Sequence, residues 1–192
     1  MRKFENAILW VGIVVLAIVA LLPGPYNNMI KLRNGVREQQ AQVENVLQAR
    51  LEKIPDLVAA VKNYDKHEET VYASVANARS GLQAAIDSGD MEKMAAANEA
   101  VTQALYDLKA VVEAYPELNS SQLYINLNDE ISGSVNRISQ ERRMYNLAVM
   151  EYNNMLESFP TMLYARILGF EPAKYFEATT EAHTTNVVDF GD

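Results

Sequence analysis

The residues of this chain best equipped for chemistry do not gather. His67 is followed by Glu68, half of the HExxH arrangement in which two histidines on one helix face hold zinc and the glutamate serves as base. The second histidine would fall at position 71, which is a valine. The other histidine, His183, stands far along the chain. With no cysteine, thiolate chemistry and disulfides are excluded. Ser80, Ser120 and Ser121 have no histidine and no nucleophile-elbow glycines around them. "DSGD" at 87–90 offers too few ligands for a calcium loop. The carboxylates are scattered over what read as polar helix faces. No catalytic, cofactor-binding or metal-ligating residue is therefore expected, and no cofactor.

What recurs instead is a polar pair. "RRMYNLAVMEYNNML" (142–156) carries Tyr145-Asn146 and Tyr152-Asn153, seven residues apart, and Tyr26-Asn27 repeats the pair at a distance. Asn costs a helix roughly 0.6 kcal/mol relative to Ala, so its repetition calls for a reason. Tyr145 and Tyr152 fall on an apolar stripe, with Asn146 and Asn153 one step round the helix. Arg142 lies on the same stripe, between Ile138 and Tyr145. Asn98 lies between Met94 and Val101 on another. Buried polar groups need partners. These residues read as a hydrogen-bonded seam that fixes helix register at coiled-coil geometry. Asn146 and Asn153 would bridge neighbouring helices, and Tyr26-Asn27 would tie the start of the first helix to the end of the last. The functional alternative is a polar groove for a peptide or small ligand.

The elements that must position this seam are helices. Gly (8) and Pro (6) are scarce in 192 residues, and the prolines sit mostly at the ends of long clean stretches. Apolar residues recur at helical spacing in three stripes. The first runs Val43, Leu47, Leu51, Ile54, Leu57, Val61, Tyr64, Val71, Val75, Leu82; the second Met91, Met94, Val101, Leu105, Leu108, Val112, Tyr115; the third from Leu123 through Leu127, Ile131, Val135, Ile138, Tyr145, Val149, Tyr152 and Leu156 to Phe159. "DSGD" reads as a turn in which Gly89 takes positive φ and Asp90 caps the next helix. Pro116 stops a helix, and Asn119 with Gln122 resembles a capping box. Pro55 interrupts the first stripe. As a joint between two helices it leaves four segments of similar length, which pack as an up-and-down bundle. As a kink it leaves one helix of ~90 Å without a partner for half its length. Burial favours the joint. Past Pro160 the tail reads as a short apolar run, "MLYARILGF", a helix around 173–182 and an extended "NVVDF".

Residues 7–22, "AILWVGIVVLAIVALL", carry no charge over sixteen positions. As a helix they span ~24 Å, slightly short for the ~30 Å hydrocarbon core of a bilayer, and Phe4 and Pro23 to Tyr26 extend the apolar length. "LLPGPY" offers no small-x-small cleavage site, so the run reads as a retained membrane anchor rather than a signal peptide. Arg2 and Lys3 precede it; Lys31, Arg33 and Arg37 follow. A short basic tail ahead of an apolar run places the remainder outside the cytoplasm. The net charge of −8, without a Lys/Arg cluster, excludes nucleic acid as a partner.

Several stretches, in order, carry a resemblance: "YNNMIKLRNGV" (26–36), "IPDLVAAVKNYDKHE" (54–68), "ARS" (78–80), "NEAVTQAL" with "VVEAYPEL" (98–118), "NRISQERRMYNLAVMEYNNMLESFP" (136–160), "GF" (169–170), "YFEA" (175–178) and "VDF" (188–190). The chain resembles the LemA family of bacterial membrane-associated proteins. The resemblance implies an N-terminal membrane segment, an up-and-down four-helix bundle and no enzymatic activity. The chain departs from the family's pattern at Gln40, Ala49-Arg50, Asp56 and Val135, so its polar interior is partly rewired.

The expected protein is all-α: a membrane helix within 1–25, an up-and-down, LemA-like four-helix bundle over 26–160, and a tail over 161–192. Its expected function is a single-pass, membrane-anchored scaffold that self-assembles or organises an unidentified protein partner. The alternative is a membrane-tethered sensor with the seam (Tyr26, Asn27, Asn98, Arg142, Tyr145, Asn146, Tyr152, Asn153) as its peptide or ligand site. Lipid is the partner expected for 7–22.

Overall fold

The computed structural model describes residue 10 and residues 23–62, 69–115 and 122–177. Among these there are four α-helices and no strand: α1 Pro23–Lys62, α2 Glu69–Ser88, α3 Met91–Glu113 and α4 Gln122–Glu157. A 3-10 turn follows at Thr161–Leu163. The expected anchor, residues 7–22, falls outside the described segments apart from Trp10. No described helix is long and apolar enough to cross a membrane.

The local chemistry accounts for the boundaries. Pro23 and Pro25 sit in the first turn of α1, where a missing N–H has no helical partner to lose. Between α2 and α3, Gly89 adopts φ 65°, a left-handed conformation that suits glycine. Asp90 then caps α3, its Oδ1 accepting from the amides of Glu92 (3.0 Å) and Lys93 (3.3 Å). Those bonds hold the Asp90 carboxyl below its ordinary pKa.

Pro55 does not divide α1, and the joint expected there is corrected. A proline at 55 has no N–H for the carbonyl of Leu51, four residues back. Arg79 of α2 supplies the missing donor: its Nε lies 3.3 Å from the Leu51 carbonyl. The orphaned acceptor is satisfied from a neighbouring helix, and the forty-residue α1 continues.

The chain forms two compact units. The larger takes Gln39–Asn146 and the chain from Lys174 onward. Its core is the three stripes: Val43, Leu47, Leu51, Ile54 and Val61 of α1, Val75 and Leu82 of α2, Met94, Val101, Leu105 and Leu108 of α3, and Leu127, Ile131 and Ile138 of α4 are all buried. Tyr72 is buried where Val71 was expected, and Ser134 where Val135 was expected. Gln40 reaches the Gly89 carbonyl and Arg50 reaches Asn98, so α1 and α3 ascend together. Lys53 meets Glu130 while Tyr124 meets Glu113, so α4 runs the other way. The smaller unit comprises the chain up to Glu38 and Leu147–Ala173. Met29, Val36, Val149, Tyr152, Leu156, Ala165 and Phe170 are buried there.

Two expectations about the end of the chain are overturned. Phe159, placed on the α4 stripe, is 80% exposed because the helix stops at Glu157 and the chain turns away. The helix expected around 173–182 is absent from its described part: residues 171–177 form neither helix nor strand, and 178–182 lie outside the described residues.

Candidate functional site

Two side-chain clamps on α4 hold the non-helical tail, one in each unit. In the smaller unit, the Asn153 amide pairs with the backbone of Ala173 in both directions. Its Nδ2 donates to the Ala173 carbonyl at 2.9 Å, and its Oδ1 accepts from the Ala173 amide at 2.9 Å. Tyr152 donates its hydroxyl to the Glu171 carbonyl at 3.0 Å. In the larger unit, Asn146 does the same with Phe176, at 3.1 and 2.9 Å. Tyr145 donates to the Lys174 carbonyl at 2.8 Å. A primary amide presents the donor and acceptor of a peptide group, so each Asn acts as a one-residue piece of strand.

The Tyr-Asn pairs stand seven residues apart on α4 and their backbone partners three residues apart in the tail: Glu171 and Lys174 for the tyrosines, Ala173 and Phe176 for the asparagines. The asparagines were expected to bridge neighbouring helices; they hold the tail instead. Burial pushes the Tyr145 phenol up to about 12 and raises that of Tyr152, so both are neutral donors across the physiological range.

The remaining seam residues are not part of the clamps. Tyr26 packs edge-on against Phe170, ring centroids 5.7 Å apart. Asn27 is exposed. Its neighbour Asn28 reaches α4, with Nδ2 3.6 Å from Met155 Sδ. Arg142 is half-buried. Asn98 is half-buried and belongs to a second centre in the larger unit, built around Arg50.

Arg50 stands out in the sequence only as a departure from the family's pattern, and not as a member of the seam. It is 2% exposed, and its Nη1 donates to Asn98 Oδ1 (2.6 Å) and Thr102 Oγ1 (3.0 Å). Its Nε and Nη2 are buried without a hydrogen-bond partner among the described residues. Burial pulls the guanidinium down to about 10, with the charges of Glu130 and Glu99 opposing the shift. The available signal was one of phase: Arg50 falls beside Leu51 on the inward side of α1, three residues after Leu47. No described group of three or more His, Asp or Glu residues is placed to hold a metal ion. His67 and His183 lie outside the described residues.

Four helices with a strap of tail pinned by a repeated Tyr-Asn pair define an all-helical protein whose most distinctive polar residues bind its own backbone. The LemA family's sequence model matches residues 39–190, and the chain belongs to that family. It is similar to magnetosome protein MamQ 2 of Paramagnetospirillum magneticum, 25% identical over 186 residues, which cover 85% of this chain and 68% of the relative. MamQ 1 of the same organism matches to the same extent. Magnetosome protein MamQ of Magnetospirillum gryphiswaldense is 22% identical over 194 residues, 88% of this chain and 71% of the relative.

Proposed function

We propose that the protein is a non-enzymatic scaffold: an up-and-down helical bundle attached to a membrane through residues 7–22, displayed outside the cytoplasm to self-assemble or to organise protein partners. The observation that carries the reading is where the polar side chains spend their bonds. Tyr145, Asn146, Tyr152 and Asn153 are consumed by the tail backbone, as a structural role requires. A sixteen-residue uncharged run directly precedes the first residue of α1, which supports attachment. Cross-linking of the full chain in its native membrane, with identification of the linked proteins, tests the proposal. Recovery of specific linked proteins, or of linked copies of the chain, supports it. Recovery of the monomer alone refutes it.

A second reading has a specific observation behind it. The clamps' hydrogen bonds to the tail all go to backbone groups, which a foreign peptide also carries. In that sensor reading the tail is a resident competitor. Adding a peptide of residues 169–177 to a chain ended after Phe170 should restore its stability; failure to bind would exclude peptide capture by the seam.

A further inference from the structure

In the smaller unit, the segment after α4 exposes apolar side chains out of proportion to its size. Phe159 is 80% exposed, Met162 57%, Leu163 63%, Ile167 84% and Leu168 45%, all within ten residues. Single exposed apolar residues are ordinary on any surface; a cluster marks an interaction site. The segment is not loosely held. Thr161, Ala165 and Phe170 are buried beneath it. Seven backbone amides between Met162 and Phe170 donate to carbonyls of Ser158 to Arg166. Gly169, at φ 78°, closes the turn so that the Phe170 amide reaches the Ala165 carbonyl at 3.0 Å. Such a platform presents its apolar side chains outward from a backbone whose amides are mostly bonded within the segment.

We infer that residues 159–168 are a second membrane contact, a turn that inserts its apolar side chains among the headgroups and upper acyl chains of a bilayer. The inference rests on the membrane-attached reading above and adds a site to it. Three observations select a bilayer as the occupant. First, Tyr26, three residues after the start of α1, packs on Phe170, so the point where the apolar run 7–22 joins the helix lies beside the patch. Second, charge permits approach to an anionic surface. The described part of this unit balances Lys31, Arg33, Arg37 and Arg166 against Glu38, Glu151, Glu157 and Glu171, although the whole chain carries −8. Arg166 is exposed among the apolar residues, and the Arg33 guanidinium lies 5.0 Å from the Phe170 ring centre. Cations beside exposed apolar residues are the composition of an interfacial contact. Third, a cleft of about 580 Å³ opens among Leu156, Met162, Leu163, Ile167 and Phe170, with Glu157 and Arg166 also in its lining, so an apolar surface and a cation that suits an anionic headgroup lie together.

The test uses the full chain, which has no cysteine of its own. Ile167→Cys and Leu163→Cys are labelled with an environment-sensitive dye. Ser139→Cys, exposed on α4, is the control. The proteins are reconstituted into phosphatidylcholine vesicles containing a minority of phosphatidylglycerol, with and without lipids bearing an acyl-chain nitroxide. The expected result is a blue shift at 167 and 163 with loss of emission when the nitroxide is present, and neither change at 139. If the chain floats with the vesicles but the dyes at 167 and 163 behave like the control, the patch does not meet lipid and the inference falls, while attachment stands. A blue shift without nitroxide quenching means that another protein copy covers the patch, which also overturns it. Failure of the chain to float removes the attachment reading and this inference together.

Discussion

At the scale of single residues, the two polar centres make opposite demands. Asn153 satisfies a peptide group that no other described residue serves. Asn153→Leu leaves both sides of the Ala173 peptide without their bonds, at a cost of about 1–3 kcal/mol. Hydrogen exchange should show early loss of protection at the Ala173 amide, while circular dichroism shows helix content unchanged. Arg50 is held by neutral partners, so deleting its charge differs from deleting its partners. Arg50→Met keeps much of the apolar stem and removes a charge whose burial is costly, so stability should hold or rise by about 1–2 kcal/mol. Asn98→Leu removes one of the two acceptors that hold that charge, leaving Thr102, and should cost about 1–3 kcal/mol. Denaturant midpoints of the two variants decide between these signs. Tyr145 adds a pH dependence. Its folded pKa, about 12, exceeds the ordinary 10.0, so the folded state keeps a proton that the unfolded state releases. Its contribution is complete below pH 10 and is lost as pH rises towards 12. Tyr145→Phe should flatten that alkaline fall in stability, measured by chemical denaturation across the range.

At the scale of elements, α1 holds through Pro55 because α2 lends it a donor. Arg79→Met withdraws the bond to Leu51 and should cost about 1–3 kcal/mol. Pro55→Ala restores an N–H to the same carbonyl, so Arg79→Met in that background should cost much less. A double-mutant cycle should show coupling of about 0.5–3 kcal/mol; strict additivity would show that Arg79 is not what bridges the proline. The same comparison shows what the sequence could reveal. The stripes were legible, since Leu47, Leu51, Leu105, Leu127 and Val149 fall inward at the spacing the helix dictates. The capped turn at Gly89-Asp90 was legible because its chemistry is local. Pro55 was misread because its compensation comes from Arg79, twenty-four positions on and visible only in three dimensions. The tail was misread because "EPAKYF" has moderate helix propensity, and its backbone is bonded instead by side chains of another element. That Tyr145, Asn146, Tyr152 and Asn153 were distinctive was legible; that their partner is backbone was not, since backbone carries no letter.

At the scale of the whole molecule, the clamps make the tail part of the fold. A chain ended after Phe170 should keep its helix content but unfold at a lower denaturant concentration, because four side chains lose their partners at once. An unchanged midpoint would show that the tail contributes nothing to stability. The order of the chain adds a consequence in time. Asn153 waits for Ala173, twenty residues downstream, and Asn146 waits thirty for Phe176. At a synthesis rate of ~5–20 residues per second, the Asn146 partner is made roughly 2–6 s after Asn146 itself. Once Asn153 has followed, α4 carries both polar pairs and has no strap to lay on them until the tail is made. The tail segment 171–176, made after α4, thus closes a seam that the helix prepared first.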